Sequence, residues 1–311
     1  MPGDNEAVSG ERYPDFFIVG APRSGTTAMF DYLAAHPQVF AASVKEPQFF
    51  AKDLDSGSYL ESVTFMRDKD RYLAMFAEAR PDQLAGEGST WYMYSKVAAT
   101  GIKQANPDAR IIAMVRNPVQ MLHSLHGRRL YAGSEDIPSF ADALAAEPDR
   151  REGRRIPAKA RNPKALLYRE VGKFGEQLER YFDTFGADRV HVIVFDDFIA
   201  DPAAEYHKVV RFLGIDDSFE PEFGVVNAGA ARRSQRIQRL LLSKPVVRTA
   251  QLVIPRRARP LIGRTWDRIN SRSEKREPLA PQVAAQLRAE LLPDIVKTGE
   301  LIGRDLASLW P

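Results

Sequence analysis

Apolar positions along the chain alternate between short continuous runs and stretches with helical spacing. The run Phe16–Gly20 (FFIVG) is typical of a strand buried on both faces, and Gly25–His36 places Met29, Phe30 and Leu33 on one helical face. Further short strands are predicted over Gln38–Ala42, in a segment ending at Ala85, over Arg110–Val115 and over Arg189–Phe195. Strands that alternate with helices predict an α/β fold with a central parallel sheet flanked by helices in three layers.

Three later helices are predicted from the same pattern. The clearest runs from Leu166 to Phe185, with one apolar stripe and Gly186 as its C-terminal stop. A second covers Pro202–Leu213. The segment Val283–Ile302 is predicted as a closing pair, interrupted or kinked at Pro293, because proline lacks a backbone donor.

Length and composition favour one large domain. The chain has 311 residues, 44% of them apolar, and a soluble chain of this size buries roughly three quarters of its unfolded surface. Residues 1–14 lack apolar periodicity and are predicted to be a disordered tail, with a single domain over 15–311. The absence of cysteine excludes disulfides and thiolate chemistry. With neither a leader pattern nor an apolar run of ~20 residues, a cytoplasmic protein is expected.

Charge is distributed unevenly along the chain. The formal net charge of +3 combines a segment from Arg232 to Arg276 that carries +12 with a remainder that carries −9. Such a segment could be a solvated helical face or could meet nucleic acid, a membrane surface or an anionic ligand. Prolines interrupt it, and its apolar residues are too few for a separate core, so residues 230–276 are predicted to form a basic helical lid or insert over the cleft.

The most informative segment lies between the first strand and the first helix. Gly20-Ala-Pro-Arg-Ser-Gly25-Thr26-Thr27 has the glycine spacing of a P-loop, in which backbone N–H groups and a helix N-terminus surround an anion. Thr26 stands where a P-loop lysine would reach the β and γ phosphates, and Arg23 supplies a cation instead. An ordinary tight turn with Ser24 or Thr26 as a helix cap is the simpler alternative.

A second departure from nucleoside triphosphatases lies at the end of the strand Arg110–Val115. Arg116 stands where such an enzyme usually offers an aspartate for magnesium. A cation there disfavours a metal and favours a phosphate or sulfate that is bound without magnesium. The two departures together argue against ATP chemistry.

These motifs resemble those of sulfotransferases that use 3′-phosphoadenosine 5′-phosphosulfate (PAPS). The segment Pro22–Thr27 is similar to their 5′-phosphosulfate loop, and Arg116-Asn117-Pro118 followed by Ser124 is similar to their 3′-phosphate motif. Further matching segments are Lys45–Phe50, Gly86–Thr90, Phe195–Asp197 with Phe212–Gly214, and Gly303–Leu306 before Trp310. The set is closer to the bacterial and heparan-sulfate-type branch than to the cytosolic aryl and steroid branch.

The resemblance implies a donor site and its residues. Backbone amides of Ser24, Gly25, Thr26 and Thr27 would hold the 5′-phosphosulfate, and Arg23 would neutralise charge on the bridging oxygen. Arg116 and Ser124 would hold the 3′-phosphate. Lys275 and Arg276 occupy the place of a loop that closes over it, although both could also be solvated surface charges. The product would be adenosine 3′,5′-bisphosphate (PAP), and no metal is required.

Glu46 is the candidate general base, with Lys45 beside it, because both follow the second strand at the edge of the sheet that faces the loop. Partial burial would raise the pKa of such a carboxylate towards an effective range. Glu87 is a competing carboxylate. His123 and His126 do not match the position of a catalytic histidine, and a solvated Lys45–Glu46 pair remains the alternative.

The function indicated is sulfuryl transfer from PAPS to a hydroxyl, or less readily an amine, of a carbohydrate, lipid or natural product. Trp91, Tyr92 and Tyr94 could line the acceptor side or fill the core, and the loops Ala51–Asp70 and Tyr131–Pro163 are expected to set acceptor identity. A small-molecule P-loop kinase and a non-enzymatic binder of RNA or anionic membranes remain alternatives. No nucleic-acid partner is expected for the enzyme, peripheral membrane contact through the basic segment is possible, and the oligomeric state is open.

Overall fold

The computed structural model describes residues 11–42, 44–57, 65–223, 231–232, 271–272 and 279–311. Its strands are β1 (Phe16–Gly20), β2 (Val39–Ala41), β3 (Leu84–Gly88), β4 (Arg110–Val115), β5 (Val190–Val194), β6 (Ala231–Arg232) and β7 (Ser271–Arg272). Its helices are α1 (Thr26–Ala34), α2 (Lys69–Ala74), α3 (Ala98–Ala105), α4 (Pro118–Ala132), α5 (Phe140–Ala145), α6 (Glu147–Arg151), α7 (Tyr168–Val171), α8 (Phe174–Phe185), α9 (Phe195–Ala200), α10 (Pro202–Leu213), α11 (Pro281–Ile302) and α12 (Leu306–Leu309). Short 3-10 turns cover Lys52–Leu54, Pro163–Leu166 and Ala187–Arg189.

Five parallel strands form the central sheet in the order β2-β3-β1-β4-β5. β1 lies in the middle, with Phe17 paired to Glu87 of β3 on one side and to Ile111 of β4 on the other. The chain leaves β1 towards β2 and later crosses to β4, so the direction of winding reverses between β1 and β4. Ligands of open α/β sheets bind at the carboxyl ends of strands at such a switch point.

Helices cover both faces of the sheet. Phe17 and Val19 face a core shared with α3, α4, α8 and α11. Phe16 and Ile18 face the opposite core, which contains side chains of α1, α9 and α10. The predicted three-layer α/β sandwich with a central parallel sheet is therefore confirmed. No helix within the described ranges is long and apolar enough to cross a membrane.

The predicted helix Leu166–Phe185 is wrong as a single element. The structure divides it into a 3-10 turn, α7 and α8, with a break around Gly172 and Lys173. The carboxylate of Asp294 accepts the backbone amides of Gly175 at 2.8 Å and Glu176 at 3.1 Å, and so caps the start of α8 from a distant helix. Gly186 ends α8 with a φ of 81°, as predicted.

The C-terminal segment Val283–Ile302 has fewer breaks than predicted. A closing pair, interrupted or kinked at Pro293, is predicted, whereas the structure has one helix, α11, that runs for 22 residues through Pro293. Leu287, Leu291 and Ile295 are buried on both sides of the proline. Their packing favours one continuous helix, because the proline removes only one hydrogen bond from a long ladder.

β3 also extends beyond its predicted end at Ala85. It continues through Gly86 and Glu87 to Gly88. A Cβ at Gly86 would lie 2.1 Å from the ring of Phe16, so a glycine is required where the strand passes this ring. The extension carries Glu87 into the core of the molecule.

The last residues of the predicted tail belong to the packed domain. Arg12 donates through Nη1 to the carbonyl of Ala79 at 2.9 Å, and the ring of Tyr13 lies 6.4 Å from that of Tyr72. Packing therefore begins by residue 11, and the prediction for residues 1–10 lies outside the described residues. Within the predicted basic lid 230–276 the structure describes only β6 and β7, which pair antiparallel.

Candidate active site

The loop between β1 and α1 leaves a helix N-terminus open. Gly25 is the N-cap of α1, with a φ of 87° that favours glycine, and no side chain caps the helix there. A Cβ at Gly25 would lie 3.1 Å from the ring of Phe195, so the loop also packs closely against the start of α9. The first amides of α1 are thus left for an external acceptor, as in a phosphate site.

A cavity of about 1130 Å³ opens at this loop. Its lining includes the predicted loop residues Arg23, Gly25, Thr26 and Thr27, together with Glu46, which follows β2, and Arg116, which follows β4. These residues come from three separate strand ends. The sheet therefore brings most of the predicted donor and base residues into one cavity.

Arg23 is the centre of the loop's polar contacts. It adopts a φ of 65°, and its Nε donates to Oγ of Ser124 at 3.1 Å. Its carbonyl oxygen accepts Nη1 of Arg116 at 3.4 Å. Arg23, Arg116 and Ser124 thus lie together, as the predicted phosphate-binding residues should.

Arg116 is held in place by an aromatic ring. Its guanidinium lies 4.6 Å from the ring centre of Phe195, and Nη2 donates to Gln120 at 3.3 Å. A guanidinium stacked on a ring keeps its planar fork directed towards an anion. Phe195 directly follows β5, so it is a fourth strand end that contributes to the site.

Two of the predicted donor residues are buried. Ser124 is only 4% exposed, and its hydroxyl accepts the hydrogen bond from Arg23. Ser24 is fully buried, and its hydroxyl has no hydrogen-bond partner among the described residues. Ser24 therefore contributes to the loop through its backbone, and no capping role for its side chain is observed.

Lys45 contacts the phosphate loop directly. Its ammonium donates to the hydroxyl of Thr27 and lies 6.0 Å from the ring centre of Phe30. Burial lowers the pKa of Lys45, while the nearby carboxylates of Glu46 and Asp31 oppose that shift. The side chain is thus a cation at the end of the loop, next to the candidate base.

Glu46 sits on a constrained turn at the cavity wall. Its φ is 60°, its amide donates to the carbonyl of Gly88 at 3.0 Å, and its Oε2 accepts Nε2 of Gln48 at 3.4 Å. Burial raises the pKa of Glu46, and Lys45 and hydrogen bonds from Thr90 and Gln48 oppose the shift. This is the direction needed for a more effective base.

The competing carboxylate Glu87 is fully buried in the core. Its Oε2 accepts the hydroxyls of Tyr72 at 2.6 Å and Tyr92 at 2.9 Å. Burial raises the pKa of Glu87 to about 7, against the opposing hydrogen bonds from Ser89, Tyr72 and Tyr92. Glu87 does not line the described cavity, whereas Glu46 does.

The histidines and aromatic residues considered from the sequence have different placements. His126 is 3% exposed, and its Nε2 lies 2.9 Å from the carbonyl oxygen of Ile137. Trp91 lines the cavity, while Tyr92 is buried beside Glu87. The hydroxyl of Tyr94 donates to the carbonyl of Lys164.

Several cavity residues were missed by the sequence reasoning. Cations and an amide from α4 and the following loops line the cavity, namely Arg128, Arg129, Lys159, Arg161 and Asn162. Arg128 could have been found, since it lies one helical turn after Ser124 and so on the same side of α4. The loops Ala51–Asp70 and Tyr131–Pro163 both contribute to the lining, through Phe65 in the first and Ser134 in the second. Lys275 and Arg276 lie outside the described residues.

Comparison with known proteins identifies the family of this chain. A sequence model described as "Sulfotransferase family" matches residues 14–221, which is more than half of the chain. The chain belongs to the sulfotransferase family. The match includes the phosphate loop, Glu46, Arg116 and Ser124.

Family relatives include characterised enzymes and a solved structure. Heparan sulfate glucosamine 3-O-sulfotransferase 3B1 of Mus musculus is 25% identical over 211 residues, covering 66% of this chain and 47% of its own length. Heparan sulfate glucosamine 3-O-sulfotransferase 6 of Homo sapiens is 27% identical over 206 residues, covering 66% of this chain and 53% of its own length. The chain spans about half the length of the curated relatives it matches.

The structural comparison covers nearly the whole chain. A sulfotransferase from Alicyclobacillus acidocaldarius superimposes with a TM-score of 0.72 at 26% identity, covering 96% of this chain and 98% of the other. The similarity therefore extends beyond the segment that the family's sequence model matches.

Proposed function

We propose that this chain transfers the sulfuryl group of PAPS to a hydroxyl, or less readily an amine, of a carbohydrate, lipid or natural-product acceptor. The observation that carries the proposal is the convergence of an uncapped helix N-terminus, Arg23, Arg116 and Glu46 on one cavity. Membership of the sulfotransferase family supports it. The named glycan sulfotransferases among the relatives support a hydroxylated sugar as one acceptor class.

In this proposal, the protein binds PAPS through its two anionic groups, the 5′-phosphosulfate and the 3′-phosphate. Amides of residues 24–27 and the hydroxyls of Thr26 and Thr27 bind the 5′-phosphosulfate. Arg116 binds the 3′-phosphate, with Ser124 beside it, and each charge-assisted hydrogen bond contributes roughly 1.5–3 kcal/mol. The resemblance also assigns Lys275 and Arg276 to this phosphate, and both lie outside the described residues. The product PAP keeps both anchors, so it binds to the same residues.

The transfer is an in-line displacement at sulfur. Glu46 takes the proton of the acceptor hydroxyl while the oxygen of that hydroxyl forms the new bond to sulfur. The bond between sulfur and the bridging oxygen breaks, and its electron pair stays on the 5′-phosphate of PAP. Arg23, together with Lys45 through its contact with Thr27, stabilises this developing negative charge.

Glu46 is preferred to Glu87 because of access. Glu46 lines the cavity, while Glu87 is fully buried and already accepts two tyrosine hydroxyls. A general base must come within hydrogen-bond reach of the acceptor proton, directly or through one water. The position of Glu46 at the cavity wall therefore supports it over Glu87 as the base in this proposal.

The alternatives fit this site less well. A kinase of this fold would use a lysine at position 26 and a metal-binding acid after β4, where the chain has Thr26 and Arg116. The basic segment proposed for RNA or membranes lies mostly outside the described residues, so no structural observation favours that reading. A cytoplasmic location and peripheral membrane contact both stay predictions.

Donor identity is tested by thermal unfolding without metal. In buffer containing EDTA, PAP is expected to raise the melting temperature, because a ligand that binds only the folded state stabilises it. ATP with magnesium is the matched comparison. If only Mg·ATP stabilises the protein, the kinase alternative is favoured. Turnover is tested directly by transfer of label from [³⁵S]PAPS to a panel of hydroxylated acceptors.

The base is tested by Glu46→Gln. This variant is expected to lower kcat by at least about 100-fold while PAP affinity stays within a factor of two, because general-base catalysis contributes about 10²–10⁴-fold. Glu179→Gln, on the surface of α8 beside Lys297, is the charge-matched control. Unchanged kcat in Glu46→Gln, with a large loss in Glu87→Gln, would reassign the base to Glu87.

A further inference from the structure

Arg129 is an unusual cavity residue because its charged side chain is buried. It lies in the last turn of α4, is 8% exposed and lines the cavity. Its guanidinium carbon lies 5.2 Å from the ring centre of Trp91, which lines the same cavity. The stacking fixes the plane of the guanidinium without neutralising its charge.

No carboxylate pairs with Arg129 among the described residues, and its Nε has no hydrogen-bond partner there. The nearby carboxylate of Glu135 is already occupied, since it accepts Arg150 at 2.7 Å and the hydroxyl of Tyr168 at 2.8 Å. Burial lowers the pKa of Arg129 to about 10, while Tyr168 and Glu135 oppose the shift and Arg150 adds to it. A buried cation without a counter-ion is costly unless an anion arrives to pair with it.

A second donor in the same cavity is also unused. Asn162 is 7% exposed and lines the cavity, and its Nδ2 is buried without a partner among the described residues. Its Oδ1 is engaged, because it accepts the amide of Ala165 at 3.2 Å. The orientation of the amide is therefore fixed by the local turn, and the buried NH₂ group is left without a partner among the described residues.

The surrounding charge is strongly positive. Arg128, Lys159 and Arg161 line the cavity beside these two residues. The acids in the described lining are Asp31 and Glu46, and both belong to the end near the phosphate loop. Arg128 also acts electrostatically on Glu46, which places this basic region next to the candidate base.

We propose that Arg129 and Asn162 form an acceptor subsite for a negatively charged group, a carboxylate or a sulfate ester, carried by the molecule that receives the sulfuryl group. The inference rests on the proposed function for the identity of the reaction, and it deepens that function by defining the acceptor class. The guanidinium supplies a charge-assisted pair and the Asn162 amide a further donor. Trp91 provides an apolar wall for the ring or chain that bears the anion.

Binding is measured first, without turnover. Isothermal titration of the PAP-loaded protein compares methyl β-D-glucuronide with methyl β-D-glucoside, in which a neutral hydroxymethyl group replaces the C6 carboxylate. Glucose 6-sulfate tests the sulfate ester in the same way. We expect the anionic sugars to bind at least about tenfold more tightly than the glucoside, since one hydrogen bond to a charged group contributes that much. Equal affinity of all three sugars would overturn the proposal.

Arg129→Met removes the charge and keeps much of the side-chain volume. We expect this variant to lose the preference for the anionic sugars while its melting temperature stays equal or rises, because an uncompensated buried charge has been removed. Arg129→Lys should keep part of the preference. Arg211→Met, an exposed arginine on α10 paired with Asp217, is the matched control for loss of one positive charge.

The outcomes separate this proposal from the proposed function. If the wild type does not bind PAP, the proposed PAPS site is contradicted. If it binds PAP but shows no preference for anionic sugars, only the proposed acceptor subsite is contradicted. A fall in the melting temperature of Arg129→Met, with the preference for glucuronide unchanged, would show that Arg129 is structural. Loss of the preference in Arg129→Met but not in Arg211→Met, with PAP affinity intact in both, supports the subsite.

Discussion

Arg23 and Ser124, which are 101 residues apart in the chain, are joined by a hydrogen bond of 3.1 Å from Nε to Oγ. The bond links the loop after β1 to the middle of α4. Arg116 adds a second link, through its hydrogen bond to the carbonyl of Arg23. The two proposed anion sites, one for each end of the donor, thus share Arg23.

Ser124→Ala is expected to weaken PAP binding by at least about tenfold, in line with loss of a hydrogen bond to a charged group. Because Arg23 loses its anchor, adenosine 5′-monophosphate should lose affinity as well, although it has no 3′-phosphate. Isothermal titration with both nucleotides measures the effect. Ser308→Ala, on the surface of α12, is the control, and a loss confined to PAP would show that Ser124 acts on the 3′-phosphate alone.

Arg116→Ala should discriminate between the same two nucleotides. Its guanidinium stacks on Phe195, so it is oriented before any ligand arrives. We expect PAP affinity to fall at least about tenfold more than that of adenosine 5′-monophosphate, because a charge-assisted pair is lost only with the 3′-phosphate. Arg189→Ala, an exposed arginine paired with Asp108, is the charge-matched control. Equal losses for both nucleotides would contradict the assignment of Arg116.

Much of the sheet could be predicted because its strands are buried on both faces. β1 and residues 111–115 of β4 are continuous apolar runs, and β5 is apolar except for His191. Such runs have few alternative structures. The helix breaks at Gly172 could not be predicted, since the cap of α8 comes from Asp294, more than a hundred residues away. The continuity of α11 through Pro293 could not be predicted for a related reason, because it depends on the packing of α11 against α8, which is a tertiary effect.

Sequence could locate those candidate site residues that belong to a local sequence motif. Gly20, Gly25 and Arg116 stand at fixed positions relative to strand ends, so they could be placed from sequence. Arg129 and Asn162 stand in no such pattern. Only the folded chain shows that Arg129 stacks on Trp91 and that Asn162 lines the same cavity. The two candidate bases could not be separated by sequence either, because burial distinguishes Glu87 from Glu46.

Glu87 is expected to make stability depend on pH. Burial raises the pKa of Glu87 from 4.5 to about 7, so the folded protein keeps a proton that the unfolded chain releases between these values. Stability from this group is therefore complete below pH 4.5 and is lost as the pH rises to about 7. The wild type loses this contribution as the pH rises, but Glu87→Gln does not. The free energy of unfolding of Glu87→Gln should therefore rise relative to that of the wild type by up to about 3 kcal/mol between pH 4.5 and pH 8.

Urea unfolding at several pH values measures this difference. Tyr72→Phe is the informative companion, because it removes one hydroxyl that stabilises the charged form of Glu87. That variant should be less stable than the wild type mainly at high pH. A wild type and a Glu87→Gln variant with parallel pH profiles would contradict the raised pKa.

Glu135 and Arg150 form a fully buried ion pair at 2.7 Å, within the segment 131–163 that contributes to the cavity lining. Glu135→Gln leaves the arginine without a counter-ion and should lower the free energy of unfolding by about 3–5 kcal/mol. The double variant Glu135→Gln with Arg150→Met should recover part of this loss. Glu170→Gln, which removes the exposed pair with Arg151, should cost no more than about 1 kcal/mol.

Trp310 is hydrogen-bonded to the turn that carries Phe195. Its indole Nε1 donates to Asp196 at 3.0 Å, and its side chain is 1% exposed. Asp196 directly follows Phe195, whose ring holds Arg116. Trp310→Phe removes the hydrogen bond and leaves a carboxylate oxygen without its donor, so we expect a loss of about 1–3 kcal/mol in unfolding free energy.

Because Phe195 then loses part of its support, PAP affinity should fall a fewfold in Trp310→Phe, as measured by isothermal titration below the unfolding transition. Arg304→Met is the control, since it removes the half-exposed ion pair with Asp197 next to the same turn. Such a pair contributes at most about 1 kcal/mol, so this variant should change stability little and PAP affinity less than Trp310→Phe does. A stability loss in Trp310→Phe with unchanged PAP affinity would show that the C-terminal anchor stabilises the fold without positioning Phe195 and Arg116.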